Sequence, residues 1–384
     1  MGDDSLSEQE ESVLRRLLSA PTALTLGIAL VVSACGGSAT QAPPTPGATV
    51  GATVPAGTSA PATTATSAKP PAATGTPFVT EPGDVTLVAY STPKTAYDAL
   101  IQLFQATPDG ANVQFEESFG ASGDQSRAVA AGLPADYVAF SLSTDMDRLV
   151  KANMVAADWN SGATKGMVTD SVVVLAVRKG NPKNIKTWDD LLKPGVGIIT
   201  PNPFSSGSAR WNIMAAYGAW IKQGLTEDQA VANLTALFKN VLVQDSSGRN
   251  ATQTFVAGQG DVLISYENEA IAAQQGGQDL DYVIPDQTIL IENPAAVTTV
   301  GDAAVPAANF LKFALTAAGQ QAFADKGYRP VISGINPPSG YTFPTPTALF
   351  KIDDLGGWPA VATKFFDTTN GIVTKIEEGI GVNP

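Results

Sequence analysis

From residue 84 onward the sequence alternates short apolar runs with longer segments of helical period, and this alternation restricts the fold more than any other feature. The runs at 171–178 and 196–200 are rich in valine and isoleucine without polar–apolar alternation, the pattern of strands covered on both faces. Residues 85–90 read as a short buried strand, and 112–116, 137–142, 262–266 and 282–284 as further strands. Helices are expected from Pro93, at a first helical position, to about 104, and at 124–132, 207–222, 226–239, 303–315 and 318–326. The helix at 226 opens on a capping-box pair, Thr226 and Gln229, and a short helical turn fits 188–192. Strands alternating with helices define an α/β fold. About 300 folded residues then predict two α/β lobes with a cleft between them. The first lobe is drawn from 84–170 plus 293–345 and the second from 171–292. Residues 346–384 are expected to add a terminal helix, and no internal repeat is found.

The first eighty residues are of another kind. Arg15 and Arg16 precede an apolar stretch, Leu24 to Val32, and the small residues Ser33 and Ala34 lead to Cys35, the only cysteine. This is the build of a secretory signal peptide over 1–35, too short in its apolar part for a membrane span. Val32-Ser33-Ala34-Cys35 resembles a bacterial lipobox, which implies lipidation of Cys35 and an extracytoplasmic, membrane-anchored protein. Residues 36–80 are almost wholly Gly, Ser, Thr, Ala and Pro with Lys69 the only charge, and read as a disordered tether.

With Cys35 assigned to lipid, the mature chain has neither cysteine nor histidine. Zinc sites, Cys–His pairs and Ser–His–Asp triads need residues it lacks. The commonest instruments of enzymatic chemistry are therefore missing, which does not by itself exclude such chemistry; no metal or cofactor is expected. A formal charge of −13 argues against nucleic acid as a partner.

Four places share one plan, a strand end followed by small residues and then a helix: Tyr90-Ser91-Thr92-Pro93, Gly120-Ala121-Ser122-Gly123, Ser205-Ser206-Gly207-Ser208 and Ser246-Ser247-Gly248-Arg249. The first turn of a helix leaves N–H groups unbonded at the positive end of its dipole, and glycine or serine lets an anion approach. Taken singly, each reads as an ordinary capped helix. Four of them in one α/β chain, at the carboxyl ends of strands, point to one region.

The stretch 171–249 resembles the periplasmic sulfate-binding proteins, a group within the type II solute-binding proteins. The resemblance is carried by Val177-Arg178-Lys179-Gly180-Asn181-Pro182, Ile199-Thr200-Pro201-Asn202-Pro203, Ser205-Ser206-Gly207-Ser208-Ala209-Arg210-Trp211-Asn212 and Phe238-Lys239-Asn240-Val241. It continues in Asp245-Ser246, in 260–270, in Tyr328-Arg329-Pro330, and more weakly over 85–358. It implies a two-lobed periplasmic-binding-protein fold of type II with the ligand in the interlobe cleft. It also implies a dehydrated oxyanion held by neutral donors: the Ser206 hydroxyl, the backbone at Gly207, Ser208, Gly248 and Ser122, and the backbone of Ser91. The family usually has glycine where this chain has Ser208, alanine where it has Gly248, and a tryptophan donor where it has Tyr266. Arg210 and Arg249 are expected to support the binding loops from behind, paired with acidic or carbonyl groups. Glu267 and Glu269 read as structural hydrogen-bonding groups and the five tryptophans as packing.

The function so implied is delivery of sulfate to an ABC permease by a lipid-anchored monomer. The rivals are thiosulfate, molybdate, tungstate or phosphate as ligand. A secreted serine hydrolase built on Ser122 or Ser206 is a more distant one, because it lacks both the G-x-S-x-G elbow and a histidine base. A structural surface lipoprotein without a ligand is the third.

Overall fold

The computed structural model describes residues 83–382; the expected signal peptide, Cys35 and the expected tether lie outside the described residues. In the first lobe, strands β1 (Val85–Tyr90), β2 (Phe115–Gly120) and β3 (Tyr137–Ala139) alternate with helices α1 (Lys94–Gln105), α2 (Ser122–Ala130) and α3 (Ser143–Lys151). The long strand β4 (Met167–Arg178) leads into the second lobe. There β5 (Ile198–Pro201), α4 (Gly207–Lys222), α5 (Glu227–Lys239), β6 (Val241–Asp245), α6 (Gly248–Val256), β7 (Val262–Tyr266), α7 (Glu267–Gln275) and β8 (Leu280–Val283) follow. The long strand β9 (Gln287–Val297) returns the chain to α8 (Ala304–Ala314) and α9 (Ala317–Asp325). The chain closes with β10 (Ala348–Phe350), α10 (Gly357–Phe366) and α11 (Ile372–Gly379).

The strands connect in the order β2-β1-β3-β9-β4-β7-β5-β6, with β8 on β4 and β10 on β9. β1 is parallel to β2 and β3, and β5 to β6 and β7. The two lobes are joined through β4 and β9, which pair antiparallel with each other over Met167–Val172 and Leu290–Pro294. The boundaries drawn at 170/171 and 292/293 fall inside these two strands.

All six residues of β1 are buried, as an unalternating strand requires. One of its faces packs Leu87 and Ala89 against Tyr97, Leu100, Phe310 and Phe323. The other packs Val88 with Val138 against Phe140, Met146 and Leu149. The second lobe repeats the arrangement. Leu175, Ile198 and Ile264 face Trp211, Met214, Trp220 and Phe238, while Val174, Ile199 and Leu263 face Ala251, Phe255 and Ala270.

Several boundaries differ from the expected ones. β2 begins at Phe115 rather than 112, because 107–113 is tied into turns by Thr107 N–H to Phe104 O and Val113 N–H to Gly110 O. α3, α7 and β9 are additional to the sequence reading, and β6 is implied there only by the strand end before Ser246. The C-terminal segment contributes a strand and two helices instead of one helix. It packs on the second lobe, with Trp358 edge-on to Trp211 at 4.6 Å and Phe365 to Tyr217 at 4.7 Å.

Candidate functional site

The four helix starts singled out in the sequence come together in space. Gly123 N–H, in the first turn of α2, donates across the lobes to Ser205 O at 3.0 Å. A Cβ placed on Gly207 would lie 2.7 Å from Ser141 Oγ, and one on Gly248 would lie 2.7 Å from Ser208 Oγ and 3.1 Å from Thr92 Cγ2. Arg249 N–H reaches Ser91 Oγ at 3.4 Å. The ends of β1, β2, β5 and β6 therefore meet at one junction, as the Gly and Ser content of these turns permits. Beside it lies a pocket of about 450 Å3 lined in part by Ser91, Lys94, Phe119, Asp124, Ser246 and Arg249.

The serines play distinct roles. Ser247 caps α6 in the ordinary way, its Oγ accepting from Asn250 N–H at 3.3 Å. Ser206 is the N-cap of α4 but forms no side-chain cap bond, although it is only 2% exposed. Its backbone N–H is bonded to Asn202 O, so its hydroxyl is what it presents at the helix start. Ser122 donates its hydroxyl proton to Asp145 Oδ2 at 2.7 Å and accepts from Ser141 N–H at 2.9 Å. Only its main-chain N–H, in the first turn of α2, is left to face an anion. Ser208 lies one residue into α4 and is buried. Tyr266, the last residue of β7, is fully buried, with its Oη 2.7 Å from Ser141 Oγ. Burial pushes its phenol well above the ordinary value, so it is protonated at neutral pH.

Both arginines make the contacts expected of supports. Arg210 donates from Nε to Pro203 O at 2.8 Å, in the loop that leads to Ser206, and lies over the Phe366 ring. Arg249 donates to Thr92 O at 2.6 Å across the lobes and pairs with Glu269 at 2.9 Å. Glu269 is 1% exposed and also accepts from Thr252 Oγ1. Burial raises its pKa, against the opposing pull of Arg249 and Thr252. Glu267 is held by Arg329 through two bonds, of 2.6 and 3.0 Å. Asp124 and Asp145 are likewise paired with arginines, Arg127 and Arg148. Helix N-termini and Ser206, which leaves its helix uncapped, stand together at this junction, an array that favours a compact anion.

Sequence reasoning did not single out Ser141, which no motif marks, or Asn293, within the unrecognised β9. Ser141 N–H bonds Ser122, its carbonyl accepts from Trp211 Nε1 at 2.8 Å and Asn293 Nδ2 at 3.2 Å, and its hydroxyl meets Tyr266.

A profile of the bacterial extracellular solute-binding protein family matches residues 85–329. The sulfate-binding protein of Synechococcus elongatus is 41% identical over 310 residues, spanning 78% of this chain and 88% of the relative. The thiosulfate-binding protein of Pseudomonas aeruginosa is 35% identical over 281 residues, 71% of this chain and 85% of that one. The solved structure of the sulfate-binding protein SubI from Mycobacterium tuberculosis is 46% identical and covers 74% of this chain and 99% of its own, with a TM-score of 0.71. The fold and site define an extracytoplasmic solute-binding protein of the two-lobed, type II kind. The chain belongs to the bacterial extracellular solute-binding protein family, in the branch of the sulfate- and thiosulfate-binding proteins.

Proposed function

We propose that this protein binds sulfate between its lobes and delivers it to an ABC permease. One observation carries the reading: Ser206, a buried N-cap serine, leaves its own helix uncapped at the point where four helix starts converge. The Ser206 hydroxyl, the main-chain N–H groups of Gly207, Ser208, Gly248 and Ser122, and the Tyr266 phenol replace the anion's hydration shell. Ser91 stands at the rim, and Arg210 and Arg249 hold the loops from behind. Each charge-assisted hydrogen bond to a dianion contributes about 1.5–3 kcal/mol net. Sulfate carries no proton at pH 7, whereas phosphate does and needs an acceptor for it in a dry site. The identity to sulfate-binding relatives supports the choice of anion.

The lobes, 84–170 with 293–345 and 171–292, are proposed to close by a hinge in β4 and β9. Cys35 is proposed as the lipid attachment point, 36–80 as a tether, and the protein as a monomer without catalytic activity. Thiosulfate is the second reading, favoured by the 35% identity to a thiosulfate-binding protein. Thermal melting with sulfate, thiosulfate, molybdate, tungstate and phosphate tests both. A ligand bound only by the folded state at 100 times its Kd adds about 2.7 kcal/mol of stability. Sulfate or thiosulfate is expected to raise the Tm most. A Tm unmoved by all five anions overturns the reading.

A further inference from the structure

The phenol of Tyr266 can donate one hydrogen bond and accept others, so its direction decides what it selects. An acceptor phenol would welcome an oxyanion that carries a proton, and a donor phenol would reject it. Ser141 Oγ lies 2.7 Å from Tyr266 Oη, and either hydroxyl of the pair has the geometry to donate. Where the serine donates, a lone pair of the phenol is filled and the phenolic proton is left for a ligand.

Ser141 is held for this task. Its N–H is fixed by Ser122, and its carbonyl by Trp211 and Asn293. The residue is fully buried, and its side chain lies where a Cβ on Gly207 would be, directly against the start of α4. Its hydroxyl cannot turn to solvent.

We propose that Ser141 is a positioning residue for selectivity: its hydroxyl donates to Tyr266 Oη, aims the phenolic proton at the bound anion, and so excludes tetrahedral oxyanions that carry a proton. The inference rests on the anion-binding reading given above. In this chain a phenol held by a serine does the work of a group that can only donate.

Calorimetric titration of the full-length chain in detergent, with sulfate and with phosphate at pH 7, tests it on wild type, Ser141→Ala, Tyr266→Phe and the double variant. Loss of one directed hydrogen bond predicts sulfate affinity about tenfold lower in Ser141→Ala. Phosphate binding rises relative to sulfate, because the freed phenol can now accept. Tyr266→Phe loses sulfate affinity without gaining phosphate, and adding Ser141→Ala to it changes neither. Melting of each variant without anion verifies folding, and the Tyr266→Phe pair keeps the test open if Ser141→Ala alone is unstable. Equal weakening of both anions in Ser141→Ala, or losses that add in the double variant, overturns the inference. Wild type that binds neither anion overturns the functional reading and this inference with it.

Discussion

Gly248 and Ser208 offer the most quantitative test of the packing at the junction. A methyl group at 248 would stand 2.7 Å from Ser208 Oγ, 3.3 Å from Ser208 Cβ and 3.1 Å from Thr92 Cγ2, all inside the 3.4 Å where ordinary contact begins. Rotating the serine hydroxyl relieves only the first of these. Overpacking of this kind costs about 1–3 kcal/mol, which is about 5- to 150-fold in Kd. Gly248→Ala is therefore expected to weaken sulfate binding by that factor. Ser208→Gly alone removes one neutral hydrogen-bonding group and costs less than about tenfold. In the double variant the methyl fills the space the serine vacates, and affinity returns to the level of Ser208→Gly or better. The two departures from the sulfate-binding pattern, serine for glycine at 208 and glycine for alanine at 248, are on this account one compensated exchange. Calorimetry over the four proteins gives the coupling free energy directly. Losses that simply add would refute the argument.

Three further outcomes are expected. Gly207→Ala puts a methyl 2.7 Å from Ser141 Cβ and Oγ in the other lobe, so sulfate should no longer compact the protein in solution scattering while the ligand-free Tm is kept. Arg249→Met leaves Glu269 buried without its cation; denaturant unfolding should show a loss of about 3 kcal/mol, largely recovered by adding Glu269→Gln. Burial raises the Asp170 carboxyl to about 7. Its contribution is present below the ordinary carboxylate range and is lost as pH rises through 7, so Asp170→Asn should melt higher than wild type at pH 8 and equally at pH 4.

The sequence announced the helix starts because their chemistry is local: a strand end, Gly or Ser, then a capped helix. What it hid was non-local. β9 contains Glu292, Asn293 and Pro294, a composition that argues against an interior strand. The structure places Pro294 where the strand changes partners, paired with Met167 on β4 just before Ala295 pairs with Ala139 on β3. Its carbonyl accepts from Phe140 N–H at 3.0 Å. α7 follows Tyr266 without a break and buries all of Glu267–Ile271, so it shows no amphipathic period. β6 is an edge strand with Leu242 exposed. α3 was readable, since Met146, Leu149 and Val150 recur at helical spacing. Ser141 carried no signal, because its role depends on residues 125 and 152 positions away.

The most direct test is a crystal of the protein grown with selenate and measured at the selenium edge. The account predicts one strong anomalous peak within hydrogen-bond distance of Ser206 Oγ, Tyr266 Oη and the main-chain nitrogens of Gly207, Ser208 and Gly248. Well-ordered crystals with no peak there, or with selenate bound only elsewhere, would contradict it.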